Sequence, residues 1–327
     1  LKILAVDDDS FILELIPMII AQAGVHDVTL ALSGEEALGI IAAETVPFDC
    51  FLFDIQMTGI DGIELCRRVR NLQDYRQTPI IMLTAMTERH FIDKAFAASA
   101  TDFATKPFDV TDLLARIAKA DLMARSDRQA ADQAPNGDAD PSVDAMARTE
   151  DHIVPLWVDG LDNIISLVAL GNYLTVLSSN GQHSTRVFAV DANAVTGQDA
   201  LAGGPEYTEL LTQVARAIDA TLGPHGYLMA CARPGEFLCV SNSTALPEPE
   251  VIESEIQALL DEKILTFDDG DLMDVVIAVG DSILPGLVKA KDVDALFNRV
   301  IGRAKARAQA QDDSLKQPNI RPLPTFG

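Results

Sequence analysis

The sequence predicts an α/β protein: a doubly wound, five-stranded parallel sheet in the first third of the chain, followed by a second α/β unit. Two observations predict the first domain. Four apolar runs, at residues 2–6, 50–53, 79–83 and, within 101–108, just before Lys106, read as fully buried parallel strands, with helical patterns between them. Each run also delivers polar residues at or beyond its end: Asp7 and Asp8, Asp54, Thr84 and Lys106. In an open parallel sheet these side chains emerge together at the carboxyl edge, where such folds place their sites.

The elements follow in order. Helical patterns cover 10–22, 34–43, 61–71, 88–98 and 109–123, and a weaker second strand lies near 27–31. Ser33 before Gly34-Glu35-Glu36 is a helix cap with acids in the first turn, and Asp109 caps the fifth helix in the same way. This first domain is expected to end at residue 124. Residues 125–150, rich in Ala, Asp, Gln, Pro, Gly and Asn, read as a flexible acidic linker that continues the fifth helix for a turn or two. A second folded unit is expected over 151–311. Its strands fall at 186–190, 226–231, 237–241 and 273–279, and its helices at 206–222, 249–263 and 292–311. Residues 164–177 fit helix and strand equally, and 312–327, with three prolines, read as a disordered tail.

The chain has 327 residues and a formal charge of −24. Residues 1–125 carry 11 basic and 19 acidic groups, and the remainder 14 and 30, so both parts are acidic. Neither offers the positive surface that DNA or anionic lipid needs, and no DNA or membrane partner is expected. The longest uncharged stretch, 163–184, is too polar to span a bilayer. Cys50, Cys66, Cys231 and Cys239 show no C-x-x-C pair and read as reduced core residues, which points to the cytoplasm. The chain starts inside its first strand without a leader pattern, and the missing Met indicates a trimmed terminus.

Three carboxylates, a hydroxyl and an ammonium at one sheet edge make a site for a divalent metal and a phosphoryl group. Transfer to a carboxylate needs a cation, because anions repel. Mg²⁺ suits the all-oxygen donor set. Asp8 and Asp54 are the expected direct ligands, Asp7 holds the ion through water, and the Gln56 carbonyl completes the protein's share. Lys106 pairs with Asp54 at rest, and Thr84 offers a hydroxyl donor.

These motifs together, Val6-Asp7-Asp8-Asp9, residues 53–62 around Asp54, Thr84-Ala85 and Lys106-Pro107-Phe108, resemble the receiver domain of two-component response regulators. The resemblance implies that Asp54 accepts phosphate from a histidine kinase or phosphotransfer protein, with Mg²⁺ at Asp7 and Asp8. It implies that Thr84 moves toward the phosphoryl group while Phe103 turns inward, re-shaping the face made by helix 4, strand 5 and helix 5. Lys94, Asp102, Asp112 and Arg116 on that face offer homodimer pairing. Thr58 stands where the family usually has Pro, which loosens the loop after the acceptor. Gln56 and Met86 occupy the positions that tune phosphoryl lifetime.

The second unit resembles the GGDEF domain of diguanylate cyclases, on weaker pieces: residues 160–163, Val190-Asp191, Arg233-Pro234-Gly235-Glu236-Phe237, 276–280 and 299–307. The resemblance implies an α+β, nucleotidyl-cyclase-like fold with antiparallel strands. Asp191 stands at the first metal ligand, but the second ligand and base is Gly235, with Glu236 beside it. Asp199 and Thr208 replace the guanine-reading Asn and Asp, Val195-Thr196 the Phe-Lys pair, and the product-inhibition motif is absent from 224–227. His183 and His225 sit in expected turns and read as surface residues. The expected function is therefore a non-enzymatic switch that signals through dimerisation or contacts of a catalytically inactive output domain with a downstream protein. The alternatives are a diguanylate cyclase making cyclic di-GMP from GTP at an unorthodox site, and a sensor that binds GTP or cyclic di-GMP without turnover.

Overall fold

The computed structural model describes residues 1–24, 27–85, 88–132, 156–179, 185–194, 205–263, 275–286 and 288–316. The first domain alternates β1 (Lys2–Val6), α1 (Ser10–Ile20), β2 (Asp27–Ala31), α2 (Gly34–Ala43), β3 (Cys50–Asp54), α3 (Gly62–Arg70), β4 (Ile80–Thr84), α4 (Arg89–Ala97), β5 (Asp102–Thr105) and α5 (Val110–Asp132). All strand pairs are parallel, in the order β2-β1-β3-β4-β5. Because side chains alternate along each strand, Ile3, Cys50, Leu52, Ile81 and Leu83 pack under α1 and α5. Leu4, Val6, Phe51, Phe53 and Met82 pack under the other face. The sheet order reverses between β1 and β3, which opens a crevice between Asp7 and Asp54.

Caps set the helix starts. Asp9, Ser33 and Asp61 accept from the amides of Phe11, Glu36 and Glu64, and Asp109 accepts from Asp112. Gly62 is required at the start of α3, because a Cβ there would lie 2.0 Å from the Asp54 carbonyl oxygen. The α3 N-terminus is thereby seated directly on the end of β3.

The second domain comprises α6 (Leu167–Ser179), β6 (Arg186–Ala194), α7 (Pro205–Leu222), β7 (Tyr227–Arg233), β8 (Glu236–Ser241), α8 (Pro249–Asp261), β9 (Val275–Val279) and α9 (Val293–Lys316). Its sheet is antiparallel, in the order β7-β8-β6-β9. From β6 to β9 this is the split βαβ arrangement. Helices α7 and α8 cover one face of the sheet, and α6 and α9 the other.

Several expectations need correction. The ambiguous stretch is helix α6. Helix α9 runs to Lys316, into the expected tail, whereas α5 runs to Asp132, about the further turn or two that was expected of it. Strand β6 does not end at Val190: it continues to Ala194, because its last residues pair with β9. Residues 133–155 and 317–327, most of the expected linker and tail, lie outside the described residues.

The α4–β5–α5 face is covered by the chain's own α6. Tyr173 packs edge-on against Phe96 at 5.2 Å, and one buried core runs from the first sheet through Phe96 and Tyr173 to the second. Helix α6 thus occupies the face on which homodimer pairing was expected. Arg116 is bonded within its own chain to Asp102 and Asp112, which neutralises the charges expected to reach across a two-fold.

Candidate functional site

The strand ends bring Asp7, Asp54, Thr84 and Lys106 together, with Asp8 at the rim. Asp7 and Asp54 are 1% and 4% exposed, whereas Asp8 is open to solvent. Carboxylate oxygens of Asp7, Asp8 and Asp54 all lie within 4.8 Å of one another. The Lys106 ammonium donates to Asp7 at 2.5 Å and to Asp54 at 2.6 Å. Sequence reasoning paired Lys106 with Asp54 alone; the structure shares it between both buried carboxylates. Thr84, fully buried, ends β4, and its carbonyl accepts from the Lys106 amide at 2.7 Å.

Electrostatics follow from this geometry. Burial lifts the Asp54 carboxyl above its ordinary range; the Lys106 hydrogen bond and charge oppose this lift, and Asp7 adds to it. Burial works against the Lys106 charge, yet the bonds and charges of Asp54 and Asp7 outweigh it and hold its pKa above the ordinary value. The site is thus an ion cluster with more carboxylates than cations.

The oxygen donors suit a hard divalent cation such as Mg²⁺. Asp8, exposed beside two buried carboxylates, fits the role of an entry-side ligand. Gln56 is exposed and lines the adjoining groove, and its backbone amide bonds the Asp54 carboxylate. In the loop after the acceptor the Thr58 amide, a donor that a proline would lack, donates to Asp8 at 3.2 Å, and the Ile60 amide donates to Glu35. Met86 lies outside the described residues.

An open groove of about 600 Å³ adjoins the site, lined by Asp8, Gln56, Thr58, Arg67, Phe91 and Lys94. Arg67 escaped sequence reasoning, and Lys94 was expected on the dimer face rather than here. The available signal was the i,i+4 spacing of Ile63 and Arg67, which puts both on one face of α3. Phe103 is already buried at 2% exposure.

In the second domain the hairpin places Asp191 opposite Glu236 across β6 and β8, both buried. Lys305 of α9 holds Glu236 at 2.7 Å, and Arg233 stands 3.7 Å away. Gly235 has φ +81°, and a Cβ there would lie 2.8 Å from the Ala192 carbonyl oxygen. With Pro234 before it, Gly235 completes a tight turn of the Pro-Gly kind. Thr208 sits in α7, where its carbonyl accepts from Thr212. His225 ends a short 3₁₀ turn and is half-buried. Asp199, Val195, Thr196 and His183 lie outside the described residues.

All four cysteines are buried and free, and burial pushes their thiols upward, Cys66 to about 11. Among the described residues no helix is long and apolar enough to cross a membrane.

Comparison with known proteins agrees with the first domain's geometry. The family model described as a response regulator receiver domain matches residues 3–118. The heme response regulator HssR of Staphylococcus haemolyticus is 43% identical over 116 residues, covering 36% of this chain and 49% of that protein. The DNA-binding dual master transcriptional regulator RpaA of Synechocystis is 34% identical over 127 residues, covering 39% of this chain and 51% of that protein. The chain spans about half the length of these curated relatives. Among solved structures, the Vibrio cholerae chemotaxis protein CheY4 is 34% identical with a TM-score of 0.34, covering 36% of this chain and 97% of that one. With the acidic cluster, the bridging lysine and the parallel sheet order already in place, residues 3–118 are the receiver domain of a two-component response regulator.

Proposed function

We propose that this chain is a phosphorylation switch: Asp54 takes a phosphoryl group from a histidine kinase or phosphotransfer protein, and the second domain signals by contacts rather than by a reaction. The observation that carries the first part is the sharing of Lys106 between Asp7 and Asp54. The Asp54 oxygen attacks phosphorus as the bond to the donor nitrogen breaks. Lys106 turns from the carboxylates to the arriving phosphoryl oxygens, and Thr84 donates to the same group. Asp7, Asp8 and Asp54 would hold a Mg²⁺, which would supply charge neutralisation there.

The second domain is read as a GGDEF-like domain without catalysis. The split βαβ topology supports the likeness. The loss of catalysis is supported by Gly235, which cannot carry the second metal-ligating carboxylate in its turn, and by Lys305, which already compensates Glu236. Asp191 and Glu236 do not fit a metal centre on these terms. The matched relatives include transcription regulators, so the receiver domain alone does not exclude a DNA-binding role; the case against it is the acidity of the remaining chain.

Labelling with radioactive acetyl phosphate and Mg²⁺, with Asp54→Asn as control, tests the acceptor: persistent labelling of that variant sinks the assignment. Incubating phosphorylated protein with GTP and Mg²⁺ tests the output. Cyclic di-GMP in the product would replace the switch by an enzyme, and a thermal shift with GTP but no product would replace it by a sensor.

A further inference from the structure

Two cations beside the phosphoryl site are left over when their neighbours' partners are assigned. On α3, Arg68 pairs with Glu64 at 2.7 Å, and the Arg70 guanidinium donates to the carbonyls of Ser99, Tyr75 and Thr78. On α4, Arg89 pairs with Asp93 at 3.5 Å. Among the described residues, Arg67 of α3 and Lys94 of α4 make no salt bridge and no side-chain hydrogen bond. The Arg67 Nε is buried without a partner, which costs free energy that a bound acceptor would return. Both residues line the open groove of about 600 Å³ that adjoins Asp54.

The groove leads from these cations to the acceptor. At one end it shares Asp8 and Gln56 with the acidic site. Helix α3 starts at Gly62, seated on the end of β3, and Arg67 stands five residues on, about 7 Å along the helix axis. Lys94 stands equally far from the start of α4. One turn nearer the acceptor, Ile63 and Phe91 line the groove between the two ends. The acids of the groove are already met by backbone: Asp8 accepts from the Thr58 amide and Asp61 from the Glu64 amide. The far end is thus a cationic seat, separated from the phosphoryl site by a short apolar stretch. We propose that this groove is a donor subsite for a second class of phosphoryl donor, an acyl phosphate whose short apolar chain ends in a further anionic group held by Arg67 and Lys94.

Charge gives the subsite its purpose. Three carboxylates against one ammonium at the acceptor, in a chain of formal charge −24, repel any anionic donor. Cations about 7 Å away lie within a Debye length of roughly 8 Å and offset that repulsion. A donor with a second anion also gains charge-assisted hydrogen bonds from a guanidinium whose donor is unsatisfied. The transfer balances without a proton. An Asp54 oxygen bonds to phosphorus as the bond from phosphorus to the acyl oxygen breaks, and the acyl group departs with that electron pair as a carboxylate. With a donor built on a dicarboxylic acid, the product is the free dicarboxylate, held at its far end by Arg67 and Lys94.

This inference rests on the reading of Asp54 as the acceptor, and the test separates the two. Initial labelling rates of the full chain are compared at equal concentrations of acetyl phosphate, pentanoyl phosphate and glutaryl phosphate. The last two have chains of the same length, but glutaryl phosphate ends in a carboxylate. Glutaryl phosphate should label the wild type about ten-fold or more faster than pentanoyl phosphate, the worth of one charge-assisted hydrogen bond. That ratio should fall toward one in Arg67→Gln and in Lys94→Gln. Taken within each variant, the ratio is unmoved by a general loss of activity. Lys94 is exposed, so its variant decides the matter if Arg67→Gln does not fold. A wild type that none of the three donors labels refutes the acceptor reading. A wild type that acetyl phosphate labels, but with no preference for glutaryl over pentanoyl phosphate, overturns the subsite alone, as does a preference that survives in both variants.

Discussion

Replacing Lys106 with Met leaves Asp7 and Asp54 buried without their shared ammonium. The structure sets the size of the effect. Each N–O separation, 2.5 and 2.6 Å, corresponds to an attraction of about 6 kcal/mol at an effective dielectric near 20. The desolvation of a largely buried ammonium, several kcal/mol, offsets much of that. What the variant exposes is the uncompensated pair: carboxylate oxygens within 4.8 Å repel by about 3 kcal/mol or more on the same scale. Removing one partner of a buried ion cluster costs about 3–5 kcal/mol, a fall in melting midpoint of roughly 10 °C or more. The loss should depend on pH. Asp54 has a raised pKa in the folded state, so its contribution is fully present below the ordinary carboxylate range and is lost as pH rises through the folded value. Lys106, also raised, contributes below the ordinary lysine range and loses that contribution as pH rises through its own folded value. The Lys106→Met penalty is therefore largest at pH 8, shrinks as acid protonates Asp54, and is partly reversed by millimolar Mg²⁺. Calorimetry of the full chain at several pH values, with and without Mg²⁺, measures it. A variant as stable as wild type at pH 8, or one indifferent to both acid and Mg²⁺, would refute the charge reasoning.

Two further outcomes follow from the same geometry. Asp54→Asn removes one of the crowded charges while Lys106 keeps Asp7, so stability at pH 8 should rise by about 1 kcal/mol after the lost Lys106 bond is deducted, seen as a higher melting midpoint, and the gain should vanish in acid. A midpoint at pH 8 equal to or below wild type would contradict it. Gly235→Asp restores the missing letter of the cyclase motif but forces a side chain into φ +81° and against the Ala192 carbonyl, so it should cost about 1–3 kcal/mol in thermal melts and yield no cyclic di-GMP.

The site was legible because one rule places it: parallel buried strands deliver their terminal residues to one edge. Asp7, Asp54 and Thr84 needed nothing more, and Lys106 only a position beyond β5. Its second partner was not legible, since a lone lysine carries no mark of how many carboxylates it meets. Residues 164–177 failed for a different reason. Helix α6 is buried on the first domain through Tyr173 and on the second sheet through Leu170, Leu174 and Leu177, so it has no wide polar face and no clear amphipathic stripe. Asp102, Asp112 and Arg116 read as a surface charge pattern, and only tertiary packing reveals that they satisfy one another. The extension of α5 by a turn or two was legible, and Arg125 returns to Asp121 at the i,i+4 spacing that supports it.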